Sequence, residues 1–193
     1  MEITTEIIKE LRDKTGVSVM QCKKAIEEAD GDLAKAEVIL RKRSSEAAEK
    51  KSERSLAAGT IGSYVHDGSI GALVFLSCET DFVARNPEFM QLAREVAMQV
   101  AATDPKYASM DAVPAQTKQA AMSVFEAEVK GKPEDMREKI LEGKLSSYFR
   151  EQVLLEQPYI KDESKTMRSL LNEATQKFGE RVEVAEFKRL SAR

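Results

Sequence analysis

Asp67-Gly68 stands between two β-rich runs, Thr60-Ile61-Gly62-Ser63-Tyr64-Val65-His66 and Ile70-Gly71-Ala72-Leu73-Val74-Phe75-Leu76-Ser77. An Asp-Gly pair in that setting signals a hairpin, because the central residues of a tight hairpin turn need positive φ. The second run is apolar on both faces, which suits a central strand better than an edge. A third strand is expected near the C-terminus, where Arg181-Val182-Glu183-Val184 alternates before Ala185, Glu186 and Phe187 shift the phase. A bulge accounts for such a slip. If the last strand joins the first hairpin, the intervening chain closes into one unit.

The intervening chain reads as helix. Phe89, Leu92, Ala93, Val96, Ala97, Val100 and Ala101 form an amphipathic stripe after Pro87. A second helix is expected from near Pro114 to Gly131, and another from Pro133 through Met136 and Ile140 towards Gly143. Helix resumes over Leu145, Tyr148 and Phe149 before Leu154-Leu155. A last helix over Met167, Leu170, Leu171 and Ala174 ends at Gly179. Residues 59–193 thus predict an α+β core, a small three-stranded antiparallel sheet packed by helices.

Residues 1–43 predict a separate three-helix module. Ile3, Ile7, Ile8 and Leu11 recur at helical spacing, and Gly16 follows as a stop. Ser18-Val19-Met20-Gln21 has the form of a capping box opening a second helix. Its apolar face is Cys22, Ala25, Ile26 and Ala29, ending at Asp30-Gly31. Asp32 caps a third helix with Leu33, Ala36, Ile39 and Leu40 inside. Residues 44–58, rich in Ala, Glu, Lys and Arg without a continuous apolar stripe, predict a partly helical, solvated linker.

Composition narrows the function. The 193 residues carry a net charge of −3, so acids and bases nearly balance, unlike the basic excess of a general nucleic-acid binder. Arg41-Lys42-Arg43 and Lys50-Lys51 form a basic stretch, but glutamates interrupt it and no aromatics accompany it. It reads as a wet face, and no direct nucleic-acid binding is expected. No apolar run approaches the roughly 20 residues of a membrane span, and Met1-Glu2-Ile3 does not begin a signal peptide, so a soluble cytoplasmic protein is expected. Cys22 and Cys78 lie far apart and read as small buried hydrophobes, and His66 has no second imidazole to join it. Neither metal nor cofactor is expected.

The most informative stretch is the strand-to-helix corner Cys78-Glu79-Thr80-Asp81-Phe82-Val83-Ala84-Arg85-Asn86. Asn86-Pro87 marks the following helix start, and rigid corners of this kind often carry functional side chains. Taken alone, Asp81 caps a turn and Phe82 fills the core. In context, Thr80-Asp81-Phe82-Val83-Ala84-Arg85-Asn86 resembles the signature of the bacterial elongation factor Ts family, guanine-nucleotide exchange factors for elongation factor Tu. The resemblance continues in Leu11 to Ala25, in Glu142-Gly143-Lys144-Leu145, and in Leu154-Leu155-Glu156-Gln157-Pro158-Tyr159-Ile160-Lys161-Asp162.

The resemblance implies that residues 1–43 form a ubiquitin-associated type of module, touching the partner's nucleotide-binding domain through Arg12, Val19 and Met20. It implies that Thr80, Asp81, Phe82 and Val83 contact GDP-bound and nucleotide-free elongation factor Tu and dislodge its Mg²⁺. The family often has Met where this chain has Val19, which implies a smaller contact there. Val19 and Met20 packing inward is the ordinary alternative. Longer members carry a second core repeat, a coiled-coil insertion and a C-terminal helical module. This chain resembles the short form, for which the family implies a homodimer and a two-plus-two complex.

Two other classes are open to such a chain. Glu79 and Asp81 as paired acids would suggest an enzyme, but a single His and no Gly-rich phosphate loop leave no catalytic constellation, so none is expected. An adaptor, with the module gripping a partner and the core passive, is the second.

Overall fold

The computed structural model describes residues 4–131 and 133–192. Ile3, at the head of the first apolar stripe, lies outside them. Helix α1 (Thr5–Thr15) is capped by Thr4 and ends at Gly16 with φ 68°, whose N–H donates to the Arg12 carbonyl at 2.7 Å. Helix α2 (Val19–Glu28) starts at Ser18, which accepts from the Gln21 N–H. The other half of the expected capping box is replaced: the Gln21 side-chain oxygen accepts from Gln176 Nε2 at 3.3 Å. Asp32 caps α3 (Leu33–Lys50). The three helices pack around Leu11, Val17, Cys22, Ala25, Ile26, Ala36 and Leu40.

Helix α3 is longer than its apolar stripe suggested. It runs without a break past residue 43 to Lys50, because Arg, Lys, Glu and Ala all propagate helix well. Nor is its second half simply solvated. Ser44 is fully buried, Arg41 donates to the Ser164 carbonyl, and Asn172 donates to Ser45. These contacts lay α3 along the last helix of the core, Met167–Phe178.

Strands β1 (Ala58–His66) and β2 (Ile70–Cys78) form the expected hairpin, with positive φ at Asp67 and Gly68. A four-residue helix α4 (Asp81–Ala84) and α5 (Pro87–Thr103) follow, then α6 (Ala115–Val129) and α7 (Glu134–Gln152). A two-stranded ribbon, β3 (Pro158–Tyr159) and β4 (Asp162–Thr166), precedes α8 (Met167–Phe178) and β5 (Glu183–Ser191). Strand order is β1-β2-β5, all antiparallel, so β2 is central. Pairing jumps from Phe75↔Glu186 to Leu76↔Val184. Ala185 is the extra residue, at the point where the sequence changes phase, and β5 continues past Phe187 to Ser191.

Helix α7 differs from expectation by passing straight through Gly143. A mid-helix glycine costs about 1 kcal/mol relative to Ala, too little to break a helix with good formers on both sides. With α6 it makes a hairpin around Val113, Ala121, Phe149 and Val153.

Helix α5 covers one face of the sheet, setting Phe89, Ala93, Val96 and Val100 against Val74 and Leu76. The approach to β1 is so close that a Cβ at Gly62 would lie 2.2 Å from the Ala93 carbonyl. On the opposite face Ile61 pairs with Phe75, Val65 with Gly71, and Gly71 with Leu190. Directly opposed residues share a face. That face exposes Ile61, Val65, Leu73, Phe75 and Leu190, the last 78% accessible. Strand β2 is therefore apolar on both sides, with only one side covered by this chain.

Candidate functional site: the corner after strand β2

The corner begins where β2 ends. Cys78 is fully buried, and its thiol donates to the Thr80 carbonyl at 3.2 Å. Burial raises its pKa, with the negative charges of Glu180 and Glu79 adding to the effect, so it is not an activated thiolate. Thr80 caps α4 by accepting from the Val83 N–H. Asn86 then caps α5 by accepting from the Glu88 N–H at 2.9 Å, with Pro87 in the first helical turn. Two successive caps leave the intervening residues little backbone freedom.

That backbone sends neighbouring side chains opposite ways. Val83 and Ala84 are buried in the main core at 5% and 8% exposure, whereas Phe82 is 82% exposed. Phe82 therefore does not fill the core, and the cap is Thr80 rather than Asp81. Asp81 lies in the first turn of α4, where a carboxylate is favoured by the helix dipole. It pairs with Arg85 at 3.2 Å, both side chains largely in solvent.

Two glutamates hold the corner from below. One oxygen of Glu180 accepts from the N–H groups of Glu79 and Thr80, each at 3.0 Å, and the other accepts from the Thr80 hydroxyl at 2.6 Å. Reciprocally, Glu79 accepts from the Arg181 N–H at 2.7 Å and from Arg54 at 3.2 Å. The Arg181 N–H chiefly, with Arg54 assisting against some burial, holds the Glu79 carboxyl below its ordinary range. Arg181 in turn donates to the Arg54 carbonyl.

The second group of expected contact residues also lies at a corner. Arg12 is in the last turn of α1, and Val19 and Met20 open α2. All three are exposed, Val19 at 52% and Met20 at 65%, so neither packs inward. This corner is tied to the core through the last turn of α8. Gln176 bonds to Gln21, while Lys177 lies beside Gly16 and reaches Glu88 on α5 at 3.0 Å.

A family model described as "Elongation factor TS" matches residues 2–192. Curated relatives named "Elongation factor Ts" agree over nearly the whole chain. The protein from Thermotoga maritima is 47% identical over 190 residues, covering 98% of this chain and 96% of the relative. That from Thermodesulfovibrio yellowstonii is 45% identical over 190 residues, with the same coverage. That from Coprothermobacter proteolyticus is 43% identical over 192 residues, covering 98% of each. The chain belongs to the elongation factor Ts family.

Several features of this chain escaped sequence reasoning. Glu180 approaches Thr80 across a sequence separation of 100 residues, and only the pairing of β5 with β2 brings them together. Arg54 sits in a stretch that reads as plain solvated charge. Parts of the basic stretch are spent internally, Arg41 on Ser164 and Arg43 on Glu28. His66 lies at the hairpin tip with Tyr64 Oη 3.1 Å from Nδ1. Among the described residues no three His, Cys, Asp or Glu side chains converge as metal ligands would, and no helix is long and apolar enough to cross a membrane.

Proposed function

We propose that this chain drives GDP from elongation factor Tu by inserting Phe82, with Asp81 beside it, into the GTPase near its Mg²⁺ site. Family membership supports the exchange role itself. The observation that carries the mechanism is the orientation of Phe82, a large aromatic held 82% exposed on a doubly capped corner. Such a GTPase holds GDP partly through Mg²⁺ bridging phosphate and protein oxygens. A surface that fits the nucleotide-free form better than the loaded form shifts the equilibrium by that difference in affinity, and no more. Phe82 supplies apolar area still to be buried. Asp81 supplies a carboxylate whose present partner, Arg85, is a surface pair worth about 0–1 kcal/mol and so is easily exchanged. No bond-making step is assigned to this chain's own side chains.

Magnitudes require a second contact. Weakening a nanomolar ligand to micromolar takes about 4 kcal/mol, and burying one Phe yields roughly 1.5–3 kcal/mol. The module formed by α1 to α3, read as ubiquitin-associated in type, provides it through Arg12, Val19 and Met20. Thr80 and Val83 act as anchors for the wedge, given their capping and burial. By reciprocity, incoming nucleotide loosens the exchange factor in turn.

A second copy of this chain covers the open sheet face, where five large apolar side chains share one side with Glu186 and Lys188. An isologous dimer about this face pairs like apolar rows and gives a two-plus-two complex. A translation partner also places the protein in the cytoplasm.

The deciding experiment follows release of fluorescent GDP from elongation factor Tu as the exchange factor is titrated. Asp81→Ala with Phe82→Ala is expected to lose most of the stimulation while keeping the wild-type melting temperature within a few degrees. Val19→Ala with Met20→Ala should instead raise the half-saturating concentration and leave the maximal rate nearly unchanged. Undiminished release by the first double variant sinks the wedge.

A further inference from the structure

We propose that Glu180 is a positioning residue for nucleotide exchange, fixing Thr80 so that Phe82 stands clear of the corner in the free protein. This rests on the wedge reading above and deepens it. Glu180 follows Gly179, the left-handed cap of α8 at φ 74°, and lies three residues before β5 begins at Glu183. Sheet pairing stops at Ser77↔Glu183, so Glu180 lies beyond the ladder, and it is absent from the apolar core. Its carboxylate nevertheless takes three hydrogen bonds, all from Glu79 and Thr80.

The Thr80 hydroxyl explains why this matters two residues later. It has a single proton, and donating it to Glu180 leaves a lone pair directed at the Val83 N–H. The helix so capped has four residues, Asp81–Ala84, too short to persist by itself. Phe82 sits in its first turn. Removing Glu180 orphans two backbone N–H groups, frees the hydroxyl to rotate, and lets the corner sample other conformations. Those conformations must be given up when Phe82 enters the partner, which makes the productive complex rarer.

The test is fluorescent-GDP release from elongation factor Tu with four proteins: wild type, Glu180→Ala, Phe82→Ala and the double variant. Glu180→Ala is expected to lower the maximal rate at saturation about tenfold, the scale of one charge-assisted hydrogen bond. The half-saturating concentration, set by the α1–α2 corner, should move less than about twofold on the same scale. Glu180→Gln, which keeps an acceptor for the backbone N–H groups but offers an N–H to the hydroxyl, should fall between. It also supplies the decision if Glu180→Ala does not fold. In the Phe82→Ala background, losing Glu180 should add almost nothing, because there is no ring left to position. An equal fractional loss with and without Phe82 overturns the proposal, since Glu180 would then act elsewhere. So does a wild-type rate for Glu180→Ala beside an impaired Phe82→Ala, and that result leaves the wedge standing. A wild-type rate for Phe82→Ala removes the wedge and the positioning role together.

Discussion

Phe82 and Val83 are consecutive, yet one is among the most exposed apolar side chains in the molecule and the other among the buried ones. Helical geometry explains the contrast, since adjacent residues on a helix point about 100° apart. The sequence made Asp81-Phe82 conspicuous; taken alone that pair favoured the ring inside, the family resemblance implied a contact outside, and the corner's hydrogen bonds hold the ring out. Beneath it, Glu79 gives a pH dependence. Its folded pKa is lowered, first by the Arg181 N–H. The stability it contributes is therefore fully present above the unfolded carboxyl value of about 4.3 and disappears as pH falls through the lower folded value. Between pH 5 and pH 3 the wild-type melting temperature should fall further than that of Glu79→Gln, all other carboxylates being common to both. Parallel acid profiles for the two proteins would contradict this assignment.

At the level of elements, the hairpin, the central position of β2, the bulge at Ala185 and the start of α5 were all legible, because each rests on local chemistry. The end of α3 was not, because this helix packs along α8, where Asn172, more than a hundred residues away, donates to Ser45. Gly143 misled for a related reason: glycine was read as a stop where its neighbours simply continue the helix. The β3–β4 ribbon left no alternating pattern to read. Two glycines give opposite expectations for one substitution. Nothing lies within 4 Å of a Cβ placed at Gly143, so Gly143→Ala should stabilise the protein by about 0.5–1 kcal/mol. A Cβ at Gly62 meets the Ala93 backbone at 2.2 Å, so Gly62→Ala should destabilise by about 1–3 kcal/mol or more through separation of β1 from α5. Urea titrations measure both, and equal midpoints would mean that the packing is looser than described.

For the whole molecule, the sheet carries the strongest expectation. Large exposed apolar patches on soluble proteins mark interaction sites, and this one includes Leu73 on β2 and Leu190 on β5. Sedimentation of the wild type at micromolar concentration should give twice the monomer mass. Leu73→Lys with Leu190→Lys should give the monomer mass, with the thermal transition retained. A wild type that sediments as a monomer would refute the dimer and leave the exchange mechanism untouched. Family resemblance implied a homodimer but named no surface for it, since an apolar row looks the same whether its cover comes from within the chain or from outside.

Gln176 and Lys177 hold the α1–α2 corner, and Glu180, a few residues on, holds the β2–α4 corner. On the proposed mechanism these two tips are jaws of one caliper, their gap set by a single turn of α8 and the bend after it. A caliper of fixed opening does not mould itself to what it grips, so that mechanism assigns the deformation that expels the nucleotide to the GTPase.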